Sequence, residues 1–236
     1  MKKITDNQQG ISVLLAIMIL SSLMILTIAI SDIVLRVGRS TEQIGQSEKA
    51  YFAAETAVEK ALYEIEKNNT ISNLDVTTPQ TLAQSKASWT RVVAQNNTLS
   101  ILCSSIVGEP GICVNSSGAI TNSNPLHAHL LAGKSFQIDL NFSGMSLPST
   151  LSITWSGSGK VIASSATGQS VYTSSPVSLS NLNSYLRVVN TDNHLIDFEL
   201  KPSTGSIAAS IMVTGTGTLG SEKRILQVEK KIWQIY

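Results

Sequence analysis

Two cysteines, two closely spaced histidines and one knot of amide and carboxylate side chains carry most of the chemistry on offer in this 236-residue chain. Cys103 and Cys113 bracket the run from Ile106 to Gly111, IVGEPG, which reads as a hairpin turn. Two cysteines are too few for a disulfide scaffold or a cysteine-based zinc site, but enough for one bridge. That bridge would close a loop of about eleven residues and contribute roughly 2–3 kcal/mol. A disulfide is the expected form outside the cytoplasm, and two buried thiols are the alternative. His127 and His129 share a face if their segment is a strand, and a third donor from elsewhere would make them metal ligands. Such pairs are usually ordinary core or surface histidines, so no metal site is expected. Asn190, Asp192 and Asn193 offer oxygens without EF-hand spacing and read as an Asx turn. There is no Ser-His-Asp order, P-loop or H-E-x-x-H, so no catalytic residue and no cofactor is assigned. The chain is not read as an enzyme.

Composition narrows the classes further. Lys and Arg number 17 against 16 Asp and Glu, a net charge of +1. Binding nucleic acid through phosphates, or binding an anionic membrane surface, needs a basic excess that is missing here. Charged residues make up 14%, below the roughly 25% of ordinary soluble domains, while 42% hydrophobic residues suffice for a core.

Positioning elements begin at the amino terminus. Residues 1–10, MKKITDNQQG, are polar and carry Lys2 and Lys3. Ile11 to Ser31 then run for 21 residues without charge or proline. As a helix at 1.5 Å per residue this covers about 31 Å, one bilayer core. Lys2 and Lys3 favour a cytoplasmic amino terminus, with residues 40–236 on the other side. A cleaved secretory signal is the competing reading, but the apolar run is too long and lacks a good small-x-small site.

Helical periodicity continues beyond the apolar run. Tyr51, Ala54, Val58, Ala61, Leu62 and Ile65 fall on one face, with Glu55, Glu59, Lys60, Glu66 and Lys67 mostly off it. The first proline is Pro79. One helix from Ile11 to Lys67, about 85 Å long, is expected. Gly38 and Gly45 are weak points, and two helices joined by a loop at 38–45 are the alternative.

A short basic leader ending in Gly10, followed by this apolar helix, resembles a type IV prepilin. Ala50 to Leu62, AYFAAETAVEKAL, resembles the helix of PilX-type minor pilins, and Gly215 to Ile232 resembles the closing strands of such proteins. The resemblance implies cleavage between Gly10 and Ile11 by a prepilin peptidase, with N-methylation of Ile11. It also implies extraction from the membrane into a filament by an assembly platform. Removal of Lys2, Lys3 and Asp6 would leave equal numbers of basic and acidic side chains. Gln9 replaces the usual basic residue before the glycine, and Ile11 the usual Phe or Met. Leu15 stands at the fifth mature position, where major pilins have glutamate. Leu15 cannot neutralise a neighbour's buried ammonium, and an unpaired buried charge costs several kcal/mol. That departure suits a tip or rare subunit.

The rest is rich in hydroxyls. Residues 68–221 hold 44 Ser or Thr and only 12 Asp, Glu, Lys or Arg. Apolar alternation marks Phe136/Ile138/Leu140/Phe142, Leu151/Ile153/Trp155, Leu186/Val188, Ile196/Phe198/Leu200 and Ile207/Ala209/Ile211/Val213 as strand faces. Turn signals at 133–134, 156–159, 190–193 and 202–205 separate them. The fold class expected is α+β: a long membrane-to-periplasm helix packed on a mainly antiparallel sheet or sandwich of seven to ten strands. The divisions are 1–10 leader, 11–35 transmembrane half-helix, 36–67 amphipathic half-helix and 68–236 extracytoplasmic β domain. A short helix is expected near Leu82 to Ala87, and long mobile loops across 156–183. Lys223, Arg224, Lys230 and Lys231, interleaved with Glu222 and Glu229, read as a solvated edge strand. Trp233 and Tyr236 are core or contact residues.

The function expected is a minor subunit of a type IV pilus or related filament. Its partners are other pilin subunits, the assembly platform, the prepilin peptidase and membrane lipid before assembly. DNA or a host or surface ligand is a further candidate. The alternative is an uncleaved single-pass membrane-anchored adhesin or binding domain.

Overall fold

The computed structural model describes residues 8–140, 142–165, 168–180 and 185–236. Leader positions 1–7 lie outside the described residues. One helix, α1 (Gln8–Asn68), is followed by sixteen strands among the described residues. They are β1 (Val76–Thr81), β2 (Ser88–Asn96), β3 (Thr98–Leu99), β4 (Gly111–Val114), β5 (Gly118–Ala119), β6 (Leu126–Leu130), β7 (Ser135–Asp139) and β8 (Thr150–Trp155). Then come β9 (Gly159–Ser165), β10 (Gly168–Tyr172), β11 (Val177–Ser180), β12 (Tyr185–Asn190), β13 (Ile196–Pro202), β14 (Ser210–Leu219), β15 (Glu222–Lys231) and β16 (Trp233–Ile235).

The helix is unbroken over 61 residues, about 90 Å, so the loop at 38–45 does not form. Gly38 and Gly45 stand in open space and simply continue the helix. Within the apolar run, Ser21, Ser22 and Thr27 donate their hydroxyls to the carbonyls of Met18, Ile19 and Met24. Each of these three hydroxyls is thereby paired within the helix, as hydrocarbon requires.

The second half of α1 is covered by a four-stranded antiparallel sheet, β1-β2-β14-β15. The buried face is a seam of small residues: Ala50, Ala53, Ala54, Ala57 and Ala61, widening to Val58 and Ile65. Tyr51, expected inward, is 44% exposed. The reason lies on the opposing strand, where Ile211 and Val213 give way to Gly215 and Gly217. A Cβ at Gly217 would come within 1.8 Å of the Ala50 carbonyl oxygen, and one at Gly215 within 2.4 Å of that of Ala54. Helix and strand backbones touch there, and the strand has room for glycine alone at 215 and 217. These contacts also fix direction: β14 runs antiparallel to α1, with its amino-terminal end at the helix's far end.

Between β2 and β14 the chain makes its longest excursion, residues 97–209. The exit and return points are adjacent, because Asn96 and Ser210 are register partners and Ala209 N–H donates to the Asn96 carbonyl at 2.8 Å. The excursion forms two five-stranded sheets, β11-β8-β13-β6-β4 and β10-β9-β12-β7-β16, with β16 added from the carboxyl terminus. They face each other: a Cβ on Gly159 of one would lie 2.8 Å from the Phe198 ring of the other. From β6 to β13 the strands alternate between sheets except at the β9–β10 hairpin. The resulting orders, 11-8-13-6 and 10-9-12-7, are those of an eight-stranded jelly roll. Its filling is the expected alternating set, including Phe136, Ile138, Leu151, Ile153, Leu186, Val188, Ile196, Phe198 and Leu200, all buried.

The α+β class therefore stands. The strand number exceeds the seven to ten expected, because short strands and a separate helix-bearing sheet add to the sandwich. Residues 82–87 form a turn closing β1 onto β2, with Leu82 N–H bonded to the Ala87 carbonyl, and no helix. Much of 156–183 is strand rather than loop: β9 and β10 pair over Val161↔Tyr172, and β11 pairs with β8. Residues 166–167 and 181–183 of that segment lie outside the described residues.

Candidate functional site

Two surfaces stand out, at opposite ends of the molecule. The first is the free half of α1. From Val13 to Val37 every large apolar side chain is at least half exposed, Leu15 among them at 58%. Nothing in the fold covers it, and it is long and apolar enough to cross a bilayer. Asp32 and Arg36 close the apolar run with an i,i+4 ion pair at 2.8 Å. Gly10 and Ile11 lie in the helical backbone just ahead of it.

The second is the outer face of β4-β6-β13. Cys103 and Cys113 are bonded, as expected, but not across a hairpin. Cys103 sits in a 3-10 turn, Cys103–Ser105, and Cys113 in β4. Leu102 bridges Val114 in parallel, so the disulfide folds the 103–110 loop back over the sheet. Cys113 is the register partner of His127, and Gly111 that of His129. On the other side of β6, Asp197 is opposite His129 and Glu199 opposite His127. Asp197 Oδ2 lies 2.8 Å from His127 Nδ1, and its Oδ1 lies 3.5 Å from His129 Nε2. Both imidazoles are 14% exposed and the carboxylate 43%. The hydrogen bond to Asp197 raises the His127 pKa, burial opposes it, and the charges of Asp197 and Glu199 add to the rise. Glu199 in turn accepts from Thr154 Oγ1 at 3.1 Å.

Asp197 and Glu199 were not singled out in the sequence. The alternation Ile196/Phe198/Leu200 does put them on the outward face. That they meet His127 and His129, about 70 residues earlier, is a product of strand order.

The remaining candidates serve structure. Asn190 is fully buried and donates to the carbonyls of Leu130 and His194, while its Oδ1 accepts from the Asp192 N–H. The Asp192 carboxylate accepts from the Ser158 and Asn193 N–H groups, which lowers its pKa. This is the Asx turn, with its oxygens already engaged. β15 is an edge strand carrying the basic cluster. Two of those side chains tie it to the helix: Arg224 donates to Ser47 Oγ, and Lys230 pairs with Glu66 at 2.7 Å, lowering the Glu66 pKa. Trp233 packs on Phe136 and carries the Lys231 ammonium on its outer face. Tyr236 is exposed and stacks under Arg187.

Gly215-x-Gly217-x-x-Gly220 matches the spacing of a dinucleotide-binding loop. It lies in the β14–β15 hairpin, with two of its glycines pressed on α1, rather than between a strand and a helix. The spacing serves packing. A cleft of about 450 Å³ lies where the helix-bearing sheet meets the jelly roll, lined by Asn96, Leu99, Ala209, Glu229, Lys231 and Trp233. Its charged groups are already engaged, Glu229 by Ser210 and Lys231 by Trp233.

No family model matches the chain, and neither does any curated protein or solved structure.

Proposed function

We propose that this chain is a minor subunit of a type IV pilus or a related filament, and not an enzyme. The observation that carries the reading is the helix: unbroken, bare and apolar for its first half, and seated on an antiparallel sheet for its second. A surface apolar all round suits lipid first and sister helices afterwards. In this reading the prepilin peptidase cuts between Gly10 and Ile11 and Ile11 is N-methylated. The subunit waits in the cytoplasmic membrane, single pass, with its carboxyl-terminal domain outside. The assembly platform then moves it into a surface filament beside other pilin subunits.

Two features support a position at the filament tip. Leu15 offers no carboxylate to a neighbour's ammonium. The jelly roll leaves the sheet beside the far end of α1, where Lys230 meets Glu66. A head stacked beyond the helix end occupies the room that a more distal, earlier-added subunit would need. At the tip it projects freely and can present a surface to DNA or to a host or abiotic ligand.

The test is shearing of surface filaments followed by gold labelling with antibody to residues 97–209. Label confined to filament ends is expected. Label along the whole shaft overturns the tip assignment. Chain retained wholly in the membrane fraction overturns the filament reading in favour of an uncleaved anchored binding domain.

A further inference from the structure

We propose that His127, His129 and Asp197 form a binding site for a divalent transition-metal ion, Zn²⁺ or Cu²⁺, on the outer face of the jelly roll. Imidazole nitrogen with carboxylate oxygen is a donor set those ions favour. A ring nitrogen of each histidine lies within 4.8 Å of one on the other. Asp197 presents one oxygen to each ring, at 2.8 and 3.5 Å. Ligands about 2.0–2.1 Å from a tetrahedral zinc ion are separated from one another by roughly 3.3 Å, and the two nitrogen–oxygen separations, each to a different oxygen of Asp197, lie on either side of that value. An ion entering between carboxylate and rings replaces a hydrogen bond with little backbone movement.

The sheet holds the donors in place. His127 and His129 are on one rigid strand, and Asp197 is on its hydrogen-bonded neighbour. Strand register therefore fixes two of the three side chains relative to the third. Glu199, opposite His127 and held by Thr154, adds negative charge without occupying the gap. One flank is closed by the disulfide. The Cys103 sulfur is within 4.8 Å of both histidine donors, but it is bonded to Cys113 and is no thiolate. Partial exposure of Asp197 leaves a coordination position open to water or an outside donor.

The test uses the full chain in detergent micelles, oxidised and stripped with chelator. Titration with Zn²⁺, followed by calorimetry, should give one site per chain. His129→Ala and Asp197→Asn should each weaken it at least roughly tenfold. His194→Ala, which removes the third histidine, should leave it unchanged. Cu²⁺ electron paramagnetic resonance of the wild type should show coupling to two imidazole nitrogens, a readout independent of any variant's folding. Absence of stoichiometric binding overturns the proposal. So does binding insensitive to both substitutions, or binding seen only after a dithiol reduces the Cys103–Cys113 bridge.

Discussion

Gly217 is the position where the packing of helix on sheet is most exposed to a single atom. A Cβ there would sit 1.8 Å from the Ala50 carbonyl oxygen and 2.6 Å from the Ala54 nitrogen. Ordinary contact begins at 3.4 Å, so the backbones must separate by about 1.6 Å. A gap of 0.5–1 Å already forfeits a quarter to a half of the dispersion well. The contacts of Ala50, Ala53, Ala54 and Ala57 with the sheet would be largely lost. Overpacking in a core that can adjust costs about 1–3 kcal/mol, and here both sides are backbone. Gly217→Ala should therefore destabilise by at least about 3 kcal/mol. Gly38→Ala provides the opposite case, since nothing lies within 4 Å of it in mid-helix. The same change there should stabilise by about 1 kcal/mol. Urea unfolding of the full chain in micelles, followed by tryptophan fluorescence, reads both. Trp89 reports directly, because it clusters with Ala53 and Ala57. Equal effects at 217 and 38, or a loss at 217 below about 0.5 kcal/mol, would refute the close-approach argument.

Three further outcomes are expected. Replacing Cys103 and Cys113 together by serine reopens a bridge of sequence separation 10 and should cost about 3 kcal/mol, read in the same unfolding assay. Arg91 is 5% exposed, donates to the Leu74 carbonyl and pairs with Glu64 at 2.9 Å. Glu64→Ala strands that buried charge and should cost about 2 kcal/mol, less than for a fully buried pair because Glu64 is partly wet. Adding Arg91→Met should recover most of the loss. For Asp192 the folded pKa lies below its ordinary value, because the backbone N–H groups of Ser158 and Asn193 bind the charged form. Its stabilising contribution is thus present above the ordinary carboxylate range and lost as pH falls through the depressed folded value. The stability gap between wild type and Asp192→Asn should close at the acid end, and a constant gap would contradict the turn's role.

What could be read in advance was local. The apolar run, absence of proline and 3.6-residue period made the long helix legible. Alternation fixed the inward faces of strands such as Ile196/Phe198/Leu200. The turn at Asn190 to Asn193 was written in side chains that bond their own backbone. Long-range pairing was not legible. Jelly-roll order depends on which strand closes against which, as in β6 against β13, and no local pattern encodes it. For the same reason Asp197 could not be placed beside His129. Tyr51 faces outward although the period admits it inward, because the close approach at Gly215 and Gly217 puts Ala50, Ala53, Ala54 and Ala57 against the strand. The hydroxyl-rich stretch at 156–183 looked like loop because its inward residues, Val161, Val177 and Leu179, are widely spaced among serines. The glycine spacing at 215–220 shows the reverse risk, a binding motif by letter that is packing in fact.

The filament reading stands or falls most directly on the mature amino terminus, determined by mass spectrometry of the chain from the cell that produces it. A chain beginning at N-methylated Ile11, ten residues lighter than the translated form, is the result expected. A chain beginning at Met1, with Lys2 and Lys3 intact, would contradict it and leave a static anchor carrying an outward jelly roll.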